Sequence, residues 1–145
     1  MTDLERRVRA AVYRSFVDTS RAPDVRALSA ATLAPPSDVE AALAALARLH
    51  AIVLRPGSTA IWMAHPFAAD ETAFRVAAGG RTYYANCAWD AAGVLSLIGD
   101  GDCTTPCGEC GDLLRFDVSA GTVRGSGVAH FVVPARRFWD DIAFT

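Results

Sequence analysis

A cysteine and an aspartate three residues apart are enough for a proton-coupled thiol site. Cys87 and Asp90 stand at that spacing in YYANCAWDAAGVLSLI, residues 83–98. From Ala85 to Ile98 the sole charge is Asp90, and small or apolar residues fill nearly every other position. The run predicts a buried helix with Cys87 and Asp90 in its first turns. Positions i and i+3 share a face, so thiol and carboxylate can meet. A helix N-terminus favours thiolate over thiol, and a carboxylate within reach can take up or return the proton. Cys87 is therefore expected to be the most reactive thiol of the chain. The plainer reading is a buried structural cysteine followed by an aspartate that complements the helix dipole.

The other cysteines, Cys103, Cys107 and Cys110, follow closely. Cys103-x3-Cys107-x2-Cys110 offers three thiolates to zinc or mercury, with Cys87 or a histidine as a fourth ligand. Cys107-Gly-Glu-Cys110 has the form of a metal-binding knuckle, in which glycine lets backbone amides turn toward sulfur. Structural zinc sites usually pair two knuckles, and one is present here. A thioredoxin-type redox role is disfavoured, because the pair opens no helix of a βαβ unit. His50, His65 and His130 share no ligand spacing and read as surface or strand-end residues. Trp139 reads as core, as does Trp89, although beside Cys87 it can also line an apolar substrate pocket.

These residues need elements to position them. The 145 residues suffice for one domain or two small ones with a core, and the net charge of −2 gives no basic field for nucleic acid or anionic membrane. No apolar run approaches a membrane span, and the N-terminus, MTDLERRVRAAVYRSF, lacks the apolar centre of a signal peptide. The expectation is a cytoplasmic protein whose clustered cysteines serve metal or thiol chemistry rather than disulfides.

Residues 3–19 carry Leu4, Val8, Val12, Phe16 and Val17 at helical spacing. Asp24 can cap a second helix over residues 25–33, with Val25, Leu28 and Leu33 inward. Beyond Pro35-Pro36 a third helix starts at Ser37 or Asp38 and runs to His50, burying Val39, Leu43, Leu46 and Leu49. Two apolar runs, residues 51–54 and 60–64, flank RPGST and predict a hairpin. Three helices and a hairpin make a winged helix. A DNA-reading helix needs Arg, Lys, Asn or Gln on its exposed face. The third helix offers Asp38, Glu40 and alanines, with Arg48 only near its end, and the wing adds just Arg55. A helical cap on a second domain fits better than a nucleic-acid reader.

The segment His65-Pro66-Phe67 and the polar residues after it mark the expected junction, giving a winged-helix domain over residues 1–67 and a second domain over 68–145. Strands are predicted at residues 73–76 and 81–84 around Gly79-Gly80, then the Cys87 helix closed by Gly99. Further β segments follow at 102–105, 113–118, 122–124 and 128–133, and a helical turn or two at 135–142. The fold class is α+β: a three-helix winged-helix domain, then a small, mostly antiparallel sheet domain with one buried helix.

This order of elements, with Tyr84-Ala-x-Cys87-Ala-x-Asp90 and Leu97-Ile98-Gly99 at the matching distance, resembles the organomercurial (alkylmercury) lyases. The resemblance spans most of the chain and is weakest over the N-terminal third. It implies Cys87 as the attacking cysteine, Asp90 as the proton-handling aspartate and Cys107 as a cysteine of structural importance. It implies protonolysis of carbon–mercury bonds in small organomercurials, with no required cofactor. Mercury is soft and seeks thiolate, two thiolates weaken the carbon–mercury bond, and a nearby acid protonates the departing carbon. The family's second catalytic cysteine follows a Val-rich strand, which residues 128–134 match. Its expected place comes directly after Phe144-Thr145, where the sequence stops. Three outcomes stay open: Cys103 or Cys110 substitutes, a Cys or selenocysteine codon continues the frame, or catalysis is lost. The alternative function is a thiol-based mercury or zinc binder without turnover, and a DNA-binding metal regulator is weakest.

Overall fold

The computed structural model describes residues 1–125 and 127–142. The first helix, α1 (Asp3–Thr19), begins on a reciprocal cap in which the Thr2 hydroxyl accepts from the Glu5 amide and the Glu5 carboxylate accepts from the Thr2 amide. Val8, Val12 and Phe16 form its buried stripe; Val17 turns away from it and is largely solvated. Asp24 caps α2 (Val25–Thr32), accepting from the Ala27 amide at 2.7 Å. Next comes α3 (Pro36–Arg48), with proline at its first position, where an N–H has no helical partner to lose. It buries Val39, Leu43 and Leu46 as expected.

Leu33 and Leu49 depart from the expected core. Each is the residue on which its helix ends, and there the chain swings off the helical stripe. Leu33 takes a left-handed φ of 54° and is 93% exposed, while Leu49 is 57% exposed.

Among the described residues eight strands form one sheet: β1 (Val53–Leu54), β2 (Ile61–Ala64), β3 (Phe67–Ala68), β4 (Phe74–Ala78), β5 (Arg81–Ala85), β6 (Gly101–Pro106), β7 (Leu113–Ser119) and β8 (Thr122–Gly125). Their spatial order is β1-β2-β3-β5-β4-β6-β7-β8, and every pairing is antiparallel. The expected junction between residues 67 and 68 falls inside β3, and the sheet runs on across it. The fold is α+β, with a helical N-terminal region and an open antiparallel sheet. Among the described residues no helix is long and apolar enough to cross a membrane.

Alternation gives the central strands one apolar face. Val76 pairs with both Tyr83 and Cys103, and Cys103 pairs with Phe116, so these four side chains share that face. Arg75, Tyr84, Thr104 and Arg115 lie on the opposite one. Helix α1 meets the apolar face through Phe67, which is fully buried and stacks on Phe16 with centroids 5.2 Å apart. Tyr83 packs tilted against Phe67 and donates its hydroxyl to the Val17 carbonyl at 3.0 Å.

The fourth helix, α4 (Ala88–Ile98), buries Ala91, Val94 and Leu95 on the sheet. A Cβ at Gly101 would stand 2.2 Å from the Ala77 carbonyl and 2.9 Å from Leu95, so only glycine lets β6 pass beneath α4.

Residues 128–133, expected as a strand, are irregular, with Val128 and Val132 solvent-exposed. β-branched residues favour a strand only where a neighbour satisfies their backbone groups. Among the described residues this run pairs with none. The last described element is a 3-10 turn, η1 (Ala135–Asp140). The Phe144-Thr145 end singled out above lies outside the described residues.

Phe67 joins helices to sheet, so truncating it should be costly. Phe67→Ala is expected to lower unfolding free energy by about 3–5 kcal/mol, the usual range for a fully buried aromatic. Urea unfolding followed by circular dichroism measures this. A loss below about 1 kcal/mol would show that the interface does not depend on Phe67.

Candidate functional site

Cys87 is the residue that starts α4. Its backbone is extended (φ −154°), and its sulfur accepts the Asp90 amide at 3.4 Å, as a capping side chain does. Asp90 sits in the first turn, so its carboxylate reaches back over the same end. Asp90 Oδ2 accepts from Asn86 Nδ2 at 3.2 Å and lies 3.3 Å from His65 Nδ1. Sulfur, carboxylate, amide and imidazole thus gather where β5 becomes α4.

Strand pairing brings His65 there. Phe67 pairs with Ala85 across antiparallel β3 and β5, so residues preceding 67 run alongside residues following 85. On α4, Asp90 and Gly93 share a face, and a Cβ at Gly93 would stand 3.0 Å from Pro66. With Pro66 against Gly93, His65 falls beside Asp90. The Tyr13 hydroxyl, donating to the His65 carbonyl at 2.9 Å, anchors this turn to α1. His65 Nε2 is buried and has no hydrogen-bond partner among the described residues. The Trp139 ring meets His65 edge-on at 5.7 Å and stacks on His50 at 4.1 Å.

The thiols divide against expectation. Burial pushes the Cys87 thiol above its ordinary value; the Asp90 amide pulls it down, and the Asp90 carboxylate adds to the rise. A helix N-terminus alone predicts thiolate, but desolvation beside an anion outweighs it. Cys107 is the lowered thiol, its sulfur facing the backbone amides of Cys110 and Glu109 and the Cys110 thiol. Cys110 is raised: the Asp112 amide lowers it, but hydrogen bonding to Cys107 and to the Asp112 carboxylate prevails. Cys103 lies fully buried on the apolar face and is pushed up to about 11 by desolvation, then by Asp102.

The expected three-cysteine metal site does not assemble. Cys103 faces the core from within β6, whereas Cys107 and Cys110 lie beyond the strand's end in the turn to β7. Among the described residues no three His, Cys, Asp or Glu side chains converge in a metal-binding group. All four cysteines are free. Trp89, read as core or as a pocket wall, is 73% exposed on the outer side of the first turn. The aromatic beside the cluster is Trp139, read from sequence as core.

A family model for alkylmercury lyase matches residues 67–145, more than half of the chain. The chain belongs to the alkylmercury lyase family. Among solved structures it resembles the mercury-bound form of MerB2, with a TM-score of 0.66 and 21% identity. That match covers 86% of this chain and 59% of the other, and at this identity it speaks for the fold. No curated protein matches. The alkylmercury lyase match begins at Phe67, so it takes in Cys87 and Asp90 but leaves His65 just outside. His65 therefore carried no signal in the family motif. The one route to it in sequence was the adjacency of the strand beginning at Phe67 to the strand before Cys87.

The thiol ordering can be checked directly. At neutral pH iodoacetamide should label Cys107 before Cys87, because alkylation follows the thiolate fraction and the lower group ionises first. As pH rises past the ordinary thiol range, Cys87 labelling should accelerate more than that of Cys107. Peptide mapping that finds Cys87 labelled first at neutral pH would overturn this ordering.

Proposed function

We propose that this chain acts on organomercurials at Cys87 and Asp90, as a carbon–mercury lyase. The observation carrying this reading is the hydrogen-bonded Cys87–Asp90 turn opening α4 in a chain of the alkylmercury lyase family. The Cys87 thiol gives its proton to the Asp90 carboxylate as sulfur bonds to mercury and the metal's inorganic ligand leaves. Asp90 then returns the proton to carbon, the carbon–mercury electron pair becomes the new C–H bond, and mercury stays on sulfur. The raised Cys87 thiol suits this order, since the site begins with the proton it later delivers. Asn86 and His65 are positioning residues that hold the Asp90 carboxylate toward the sulfur.

One observation favours a second reading, a mercury-binding protein without turnover. No second sulfur joins Cys87 and Asp90 in a metal-type group among the described residues, and one thiolate activates the carbon–mercury bond less than two.

The helical region fits a winged-helix cap better than a nucleic-acid reader, because the wing's Arg55 is paired with Asp70 at 2.6 Å. Four free thiols fit a reducing cytoplasm.

Asp90→Asn keeps the side chain's shape and removes its proton chemistry. With phenylmercuric acetate as substrate, cleavage to benzene should fall about a hundredfold or more while stoichiometric mercurial binding persists. His65→Gln should reduce cleavage less, about tenfold, and displace its pH profile. Equal cleavage by wild type and Asp90→Asn would remove Asp90 from the reaction. Binding without cleavage by the wild type would establish the second reading.

A further inference from the structure

The turn between β6 and β7 holds two thiols that the Cys87 site does not use. Cys107 and Cys110 flank Gly108-Glu109 in a tightly closed loop: the Cys107 amide donates to the Asp112 carbonyl at 2.7 Å, and the Gly111 amide donates to the Cys107 carbonyl at 3.0 Å. Gly111 adopts a left-handed φ of 78°, which a side chain would disfavour, and this lets the loop fold back on its first cysteine. Those two backbone bonds keep Cys107 and Cys110 on one closed turn, three residues apart, so both thiols leave the same short loop. Cys107 is half-buried and Cys110 exposed, so the pair opens to solvent.

Sheet register sends this turn and the Cys87 turn out from the same end of the sheet. Arg75 pairs with Tyr84 on one side and Thr104 on the other. Strands β5 and β6, both antiparallel to β4, therefore leave the sheet at the same end. Two strand spacings separate Tyr84 from Thr104, about 10 Å. Cys87 lies three residues beyond Tyr84, and Cys107 three residues beyond Thr104. The two chain segments leave the same end of the sheet on either side of β4.

We propose that the Cys107–Cys110 turn is a two-thiolate acceptor site for mercury(II), taking the ion from Cys87 by thiol exchange. Paired sulfurs without a third ligand suit a soft cation content with two-fold coordination. Zinc asks for four ligands, and among the described residues no third His, Cys, Asp or Glu completes a set here. In the exchange the Cys107 and Cys110 sulfurs each form a bond to mercury and each gives up its proton. The Cys87–mercury bond and the bond to the ion's other ligand break; one proton passes to Cys87 and the other leaves with the displaced ligand. Nothing is oxidised or reduced. Cys87 returns to the thiol form with which the proposed reaction begins. The transfer rests on the reading of Cys87 as mercury's first sulfur; the acceptor site itself does not.

Loading the full chain with one equivalent of mercuric chloride, then alkylating and mapping peptides, tests this. Labelling of Cys107 and Cys110 should fall together by about tenfold or more, while Cys87 still labels once the pH is raised. In Cys107→Ser/Cys110→Ser the protection should move to Cys87. Cys110→Ser alone, on the exposed side of the turn, should move it as well and guards against misfolding of the double variant. Protection of Cys87 with free labelling of Cys107 and Cys110 in the wild type would overturn the proposal. So would equal protection of the pair by zinc chloride alone. Cleavage of phenylmercuric acetate reports on Cys87 and Asp90 independently, so either idea can fail without the other.

Discussion

The pairing of Phe67 with Ala85 is the constraint on which the rest of this molecule depends. It is a single antiparallel register point, yet it joins the helical region and its hairpin to the strands that carry the cysteines. Phe67 is held by Phe16 stacked on it and Tyr83 tilted against it, so the register is fixed by side-chain packing as much as by the ladder. From that point His65 and Pro66 are carried alongside the start of α4, and Pro66 meets the helix at Gly93. A one-residue slip would reverse the faces of the whole strand and withdraw the imidazole from Asp90.

Around Asp90 the electrostatics follow from where water is excluded. The carboxylate has a side-chain amide and an imidazole as partners, while the thiol next to it loses hydration and sits near a negative charge. Twenty residues later the balance reverses: Cys107 is half-buried in an open turn, and hydrogen bonding from the Cys110 and Glu109 amides lowers its thiol. One sheet end thus presents a thiol raised by burial and a thiol lowered by hydrogen bonding.

Much of this was legible in the sequence. Capping residues and apolar spacing located the four α-helices of the described residues to within a few positions, and Pro-Gly and Gly-Gly marked their hairpins. The Cys87–Asp90 spacing identified the thiol–carboxylate turn because i and i+3 contacts are local. What was not legible depends on partners distant along the chain. His65 is defined by strand pairing, and Trp139 by where the C-terminal turn packs. Leu33 and Leu49 looked like core because periodicity cannot show on which residue a helix stops. Residues 128–133 looked like a strand because β propensity says nothing about whether a neighbouring strand exists. The Cys87 thiol follows the same rule: the helix end is visible in sequence, but the desolvation that opposes it comes from packing.

Cys87 also caps α4, and that double duty has a thermodynamic consequence. The sulfur's lone pairs hold the Asp90 amide, an interaction of the kind that stabilises a helix start by about 1 kcal/mol when oxygen is the acceptor. Any group that replaced the thiol proton would change the acceptor on which the first turn rests. By linkage, the free energy of the cap and the affinity of any ligand at this sulfur would then be coupled, so the start of α4 and the chemistry of Cys87 could not change independently.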